Sequence, residues 1–310
     1  LVFKKMAVPM RKRPFKAALA MLATLALMAG LLGCNANASS DTVVVGGKDF
    51  TEQDIMADMI TLLIEQDTDL KVKKKTWLNS NVIWNSMKND NIDIYVEYTG
   101  TGLVNILKQK AVSDPQQAYD LVKKEFTGKY GVTWLQPIGF NNTYAMAMRR
   151  SEAKELNIAS ISDLAKQSSN LILGSEQDFI IREDTLPAMN KLYGTKFKSV
   201  KSMEIGLKYK ALASGKVDVI DAFSTDGKIP ANDLVLLEDD KHLFPPYYAV
   251  PIIRNEVLKD HPELKKVINK LANKITDEEM QKLNQQVDIE HKKSLDVAKK
   301  WLQDHGLLTQ

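Results

Sequence analysis

The chain has 310 residues, with 42 lysines and arginines against 39 aspartates and glutamates, and a single cysteine. One cysteine excludes an intramolecular disulfide and a multi-thiolate metal site in a monomer. Six of the basic residues and no acid precede position 34, so the remainder carries 36 basic against 39 acidic groups, a net of −3, and bears no footprint of nucleic-acid binding.

Lys4, Lys5, Arg11, Lys12, Arg13 and Lys16 lead into an uncharged apolar run over residues 17–32, the layout of an export signal. That run is shorter than the roughly 20 apolar residues a spanning helix needs, so residues 1–33 are predicted to be a signal peptide. Leu31-Leu32-Gly33-Cys34 resembles a bacterial lipobox, which implies cleavage before Cys34 and acylation of its sulfur by diacylglycerol. Residues 34–41 are small and polar and suit a tether between lipid and fold. The rest has no second long apolar run, and its length exceeds one comfortable core, which predicts two lobes.

Residues 42–47 read as a short apolar strand ending in two glycines. Thr51 and Asp54 form a capping-box-like start to a helix in which Ile55, Met59, Leu62 and Leu63 recur at helical spacing. Residues 71–77 read as a strand, 81–87 as a helix, 92–98 as a strand, and 115–126 as a helix opened by Asp114 and Pro115. Further strands are predicted at 142–148, 171–174, 217–223 and 235–237, and a helical tail at 262–302 with a capping pair at Thr276 and Glu279. This alternation predicts an α/β fold on mostly parallel sheets.

One internal correspondence needs no outside knowledge. Ile92-Asp93-Ile94-Tyr95-Val96-Glu97-Tyr98 is followed by Thr99-Gly100-Thr101-Gly102, and Val217-Asp218-Val219-Ile220-Asp221-Ala222-Phe223 by Ser224-Thr225-Asp226-Gly227. Each strand has an acid second and an aromatic seventh, then a hydroxyl-rich turn. Trp84 and Met87 before the first copy match Tyr209 and Leu212 before the second. Two similar lobes would each present an aromatic beyond the carboxyl end of a strand, where open α/β sheets bind ligands.

Five blocks in order carry a resemblance over essentially the whole mature chain: Lys48-Asp49-Phe50-Thr51-Glu52-Gln53, Val96-Glu97-Tyr98-Thr99-Gly100-Thr101-Gly102, Asn141-Asn142-Thr143-Tyr144, Asp221-Ala222-Phe223-Ser224-Thr225-Asp226-Gly227 and Phe244-Pro245-Pro246-Tyr247. On these the chain resembles the substrate-binding lipoproteins of ABC importers for glycine betaine, carnitine and choline. The resemblance implies a two-lobed, periplasmic-binding-protein-like (type II) fold with a hinge and an interlobe ligand cleft. Its lobes would be residues 42–140 with 244–310, and 141–243. A trimethylammonium group has no N–H to donate, so aromatic faces recognise it, and the resemblance implies a cage of Tyr98, Tyr144, Phe223 and Tyr247. Phe223 departs from an all-tyrosine cage but keeps the ring face, and Tyr248 competes with Tyr247 for the fourth place. Gln53, in the first turn of a helix where an anion is favoured, together with Thr101 and Asn142, is implied to hold a ligand carboxylate. A neutral threonine at 101, where choline-restricted relatives tend to carry an acid, suits a broad osmoprotectant range.

The resemblance further implies a monomeric receptor held by lipid at Cys34 beside its permease, on a Gram-positive cell surface, with ATP hydrolysed in a separate subunit. No Walker-type phosphate loop occurs in the sequence, and no cofactor, metal or enzyme activity is expected. The rivals are a receptor for another small ligand, such as an amino acid, and a lipid-anchored surface hydrolase. His242, His261, His291 and His305 are scattered and form no hydrolase motif. Singly, Tyr98, Tyr144 and Phe223 read as core-edge residues, and Trp77, Trp84, Trp134 and Trp301 as core.

Overall fold

The computed structural model describes residues 41–309. The predicted signal peptide, Cys34 and the tether up to residue 40 lie outside the described residues. Among the described residues, no helix is long and apolar enough to cross a membrane.

Ten strands form two five-stranded sheets. The first holds β1 (Thr42–Lys48), β2 (Lys71–Leu78), β3 (Ile94–Tyr98), β4 (Val132–Trp134) and, from much later in the chain, β10 (Ala249–Arg254), in the order β2-β1-β3-β10-β4. The second holds β5 (Tyr144–Arg149), β6 (Ile172–Ser175), β7 (Ser199–Ser202), β8 (Val219–Phe223) and β9 (Leu234–Leu237), in the order β7-β6-β8-β5-β9.

The expectation of mostly parallel sheets needs correction. In each sheet the first three strands are parallel, and the two pairings beyond them are antiparallel. The reason is the route of the chain. β5 arrives from the first sheet and β10 from the second, and each enters at the carboxyl edge of the neighbour it pairs with, so it must run the opposite way.

The internal correspondence is structural. β3 and β8 occupy the same third place in their sheets. Asp93 Oδ2 accepts from the Val44 N–H of β1 at 2.8 Å, and Asp218 Oδ2 accepts from the Ile172 N–H of β6 at 2.7 Å. Each carboxylate also faces the arginine that ends the antiparallel partner, Arg254 at 3.1 Å and Arg149 at 3.6 Å. The acid at the second position thus ties three strands together in both lobes. The helices Ser80–Lys88 and Ile205–Ala213 bury Trp84 and Met87, and Tyr209 and Leu212, under their own sheets.

On one face of the first sheet the helix Thr51–Asp67 buries Met56, Ile60 and Ile64 with Leu283 and Trp301 from the C-terminal helices. On the other, Trp84, Phe126 and Trp134 pack ring to ring, with centroids 5.2 and 5.1 Å apart. Each such ring contributes about 1.5–3 kcal/mol by burial. Trp77 differs from the other three tryptophans, being 60% exposed at the end of β2 with φ of 64°.

Local starts and stops differ from expectation in two places. Thr51 does not cap the first helix. Phe50 holds that position without a side-chain bond, and the Thr51 hydroxyl donates to Asp288 instead. The tail is interrupted between Leu264–Ile268, Asp277–Asp288 and Ser294–Asp304, with Asn273 and His291 in left-handed backbone at φ of 53° and 59°. The capping box at Thr276 and Glu279 is present, its two backbone bonds measuring 3.2 and 2.9 Å.

Gly102 closes the turn after β3, and a Cβ there would lie 2.7 Å from the Trp134 ring and 3.2 Å from Val122. Gly102→Ala is therefore expected to destabilise the protein by about 1–3 kcal/mol through overpacking, read as a lower urea midpoint at unchanged m-value. An unchanged midpoint would mean that Trp134 yields freely.

Candidate functional site

β3 and β8 both end at one cleft of 630 Å³, within the range of small-molecule sites. Tyr98 ends β3 and Phe223 ends β8, while Tyr144 opens β5 and stands directly opposite Phe223 in the ladder. Their rings lie 4.8 Å apart at 36°. On the other side, Tyr98 stacks on Phe50 at 6.3 Å and 27°.

Tyr247 lines the same cleft, whereas Tyr248 does not. Tyr248 makes two hydrogen bonds with Thr99, its N–H donating to the Thr99 hydroxyl and its carbonyl accepting from the Thr99 N–H, each at 3.1 Å. The Tyr247 N–H donates to Asn141 Oδ1 at 2.6 Å. Gly100 makes room for the Tyr247 ring, since a Cβ there would fall 2.7–2.8 Å from it.

Thr101 and Asn142 also line the cleft, so six of the seven expected ligand-binding residues share one wall system. Gln53 is the exception. It is buried behind Tyr98, with Oε1 accepting from the Lys48 N–H at 3.2 Å and Nε2 donating to the Val96 carbonyl and the Tyr98 hydroxyl, both at 2.9 Å. Its amide is fully used inside the first lobe. One helical step away, Glu52 reaches the cleft instead.

Glu52 Oε1 accepts from the Tyr98 hydroxyl at 2.6 Å and Asn142 Nδ2 at 2.9 Å, and Oε2 accepts from the Thr225 hydroxyl at 2.6 Å. Burial raises its pKa, and these hydrogen bonds oppose the rise. Tyr98 is held neutral, its pKa driven up by burial and by the adjacent Glu52 charge.

Beside the rings lie two buried ion pairs. Lys48 pairs with Glu97, the two being 2% and 1% exposed, and its ammonium stands 4.9 Å from the Tyr98 ring centre. Lys208 pairs with Asp221 at 2.7 Å, with its ammonium 6.0 Å from the Phe223 ring centre. Ser175 Oγ donates to Asp221 at 2.7 Å, and the Tyr95 hydroxyl to Glu97 at 2.9 Å. Each pair is neutral and hydrogen-bonded, as burial requires.

Sequence reasoning missed Glu52, Thr225, Arg182 and Trp77 as cleft residues. Glu52 and Thr225 lie inside blocks already singled out, but nothing in the sequence separates Glu52 from its neighbour Gln53. Arg182 carries no local signal. Its guanidinium forks onto Asp184 at 3.0 and 2.6 Å, which raises its pKa, and lies 5.7 Å from the Tyr144 ring centre. Six aromatic side chains line the cleft, Phe50 and Trp77 beside Tyr98, Tyr144, Phe223 and Tyr247, and such surfaces suit a cationic group that cannot itself donate a hydrogen bond.

Residues 41–304 match the family described as the substrate-binding domain of ABC-type glycine betaine transport systems. A carnitine transport binding protein of Listeria monocytogenes is 42% identical over 271 residues, which is 86% of this chain and 88% of that protein. An ergothioneine transport permease/ergothioneine binding protein of Helicobacter pylori is 36% identical over 99% of this chain and 55% of that protein. A crystal structure of a glycine betaine/carnitine/choline ABC transporter protein superposes with a TM-score of 0.81 at 39% identity, covering 86% of this chain and 99% of that one.

Lys48→Met should strand the Glu97 carboxylate and destabilise the protein by about 3–5 kcal/mol in urea denaturation. Adding Glu97→Gln should recover part of that loss. A single-variant loss below about 1 kcal/mol would mean that water reaches the pair.

Proposed function

The chain belongs to the family of substrate-binding domains of ABC-type glycine betaine transport systems, and from that premise we propose that it captures quaternary ammonium osmoprotectants between Tyr98, Tyr144, Phe223 and Tyr247. It is the receptor of an importer and not an enzyme, with the two-lobed fold of periplasmic binding proteins, and it works outside the cytoplasmic membrane. The observation that carries the ligand reading is the convergence of four aromatic side chains, three from strands of both sheets and one from the second crossing, on one cleft.

Each ring face in contact with the cation contributes about 0.5–2 kcal/mol, depending on how fully it is desolvated. Phe223 keeps its face and lacks only a hydroxyl. Thr101 and Asn142 supply polar groups for a carboxylate, with the Arg182 charge on the Tyr144 side of the cleft. Because its amide is already used, Gln53 is assigned to holding Tyr98 rather than the ligand.

Lobe I comprises residues 42–140 and 244–310, lobe II residues 141–243, and the two crossings between them are the hinge. Rings from both lobes complete the cage, so the ligand favours closure by binding that state better. Acylation of Cys34 would hold a monomeric receptor at the outer face of a Gram-positive membrane beside its permease, raising the local concentration of loaded receptor. The similarity to a relative whose name joins permease and binding protein supports that partnership.

A thermal-shift panel on residues 41–310 tests the reading with glycine betaine, carnitine, choline, ergothioneine, proline and glutamate. Quaternary ammonium compounds are expected to stabilise by about 2.7 kcal/mol at a hundredfold excess over Kd, and proline and glutamate not at all. Tyr98→Ala should weaken binding by roughly tenfold or more. Stabilisation by glutamate alone, or by none of the six, would sink the assignment. Gly100→Ala, which pushes on the Tyr247 ring, should lower affinity and cost about 1–3 kcal/mol of stability in urea denaturation. Unchanged affinity would remove Tyr247 from the cage.

A further inference from the structure

Glu52 is 1% exposed, yet among the described residues no lysine, arginine or histidine donates to its carboxylate. Its four donors are neutral and come from four places in the chain. Tyr98 ends β3, Asn142 lies on the first crossing, and Thr225 lies in the turn after β8. Asn284 belongs to the helix Asp277–Asp288 and reaches Oε2 at 3.4 Å. The nearby cations are engaged elsewhere, Lys48 with Glu97, and Lys228 between Asp226 and Asp288 at 4.0 Å from each.

The same carboxylate sits where the lobes meet. Asn284 Nδ2 also donates to the Thr225 carbonyl at 2.9 Å, and Gln281 Nε2 to the Ser224 carbonyl at 2.6 Å. A Cβ at Gly227 would lie 2.3 Å from the Gln285 nitrogen, so backbone meets backbone there. Turn 224–227 of the second sheet therefore docks on a helix packed against the first core, with Glu52 beneath the contact.

We propose that Glu52 makes lobe closure conditional on a cationic ligand. Closing the lobes takes its carboxylate out of water with only neutral donors to compensate, which is unfavourable for a charge. A quaternary ammonium group seated against Tyr98 supplies the missing positive charge inside the same cleft. The Tyr98 and Thr225 hydroxyls, held by opposite oxygens of one carboxylate, then fix the ring and the second lobe together. Burial raises the Glu52 pKa, as expected for a buried acid without a cationic partner. The role rests on the cage reading above and adds a discriminating residue to it. Tyr98 selects for shape and ring-face attraction, and Glu52 selects for charge.

The test compares glycine betaine with its uncharged-head isostere 3,3-dimethylbutanoate, which has the same outline and carboxylate but a carbon in place of nitrogen. Isothermal titration of the wild-type protein and Glu52→Gln gives the ratio of the two dissociation constants. That ratio is expected to shrink by roughly tenfold or more in Glu52→Gln, because betaine loses its counter-charge while closure on the isostere no longer buries an uncompensated carboxylate. The variant is sterically matched, and the buried Oδ1 atoms of Asn142 and Asn284, which have no partner, can turn to accept from the new amide.

Thr225→Val removes only the interlobe donor and should weaken both ligands alike, through faster dissociation. A spin-label pair across the lobes of the ligand-free protein gives a second readout, aided by the lack of cysteine among residues 41–309. Glu52→Gln is expected to shift the interlobe distances toward the closed state. A ratio of dissociation constants within about twofold of wild type overturns the proposal. If the wild-type protein binds neither compound, the cage reading fails instead, and unchanged interlobe distances in Glu52→Gln then overturn the role of Glu52.

Discussion

Two antiparallel pairings, β5 on β8 and β10 on β3, hold the architecture of the cleft together. Each strand is a crossing strand that has just left the other sheet, so its first residues lie at the carboxyl edge of the strand it joins. Tyr144 is the first residue of β5, and the ladder sets it beside Phe223 without any loop conformation being required. Ala249 opens β10 opposite Tyr98, which leaves Tyr247 two residues upstream, in the cleft. The hydrogen-bonding register that closes each sheet therefore also fixes where the rings stand.

Close approach is achieved by leaving atoms out. Gly100 lets the Tyr247 ring press against the turn after β3, and Gly227 lets the turn after β8 reach the backbone of the helix Asp277–Asp288. These glycines occupy corresponding turns of the two copies, yet one accommodates a ring and the other a neighbouring backbone. The duplicated frame is filled asymmetrically. Lobe symmetry is kept in Asp93 and Asp218, each of which binds strand to strand within its own sheet, and is lost at the cleft, where each side presents different chemistry.

Much of this was legible from residue pattern. Acid second and aromatic seventh in two separated strands reported a repeated sheet position, because both residue types answer to constraints that the frame imposes twice. The less visible elements were those held by tertiary context. β4 has three residues, β7 is a short polar edge strand, and β10 carries Pro251, whose missing N–H weakens any pattern-based strand assignment. Strand direction was illegible too, since periodicity does not report which edge a chain enters. Gln53 and Glu52 show the finest limit. Both lie in the first helical turn, and only the position of β3 beneath that helix decides which faces inward and which meets the cleft.

The electrostatics of the site separate along the same lines. Three buried acids stand near the rings, and two of them, Glu97 and Asp221, have a lysine within the same lobe. Each pair draws both partners from one lobe, so the proposed closure leaves the charge balance beside Tyr98 and Phe223 unchanged. Glu52 differs because half its donors belong to the first lobe body and the others to the crossing and the second lobe. Its environment changes whenever the lobes part. A charge whose solvation depends on a hinge is sensitive to any cation that enters the hinge, whereas charges paired within one lobe are not. On the role proposed for Glu52, one unpaired acid beside two paired ones would let the aromatic frame respond to ligand charge.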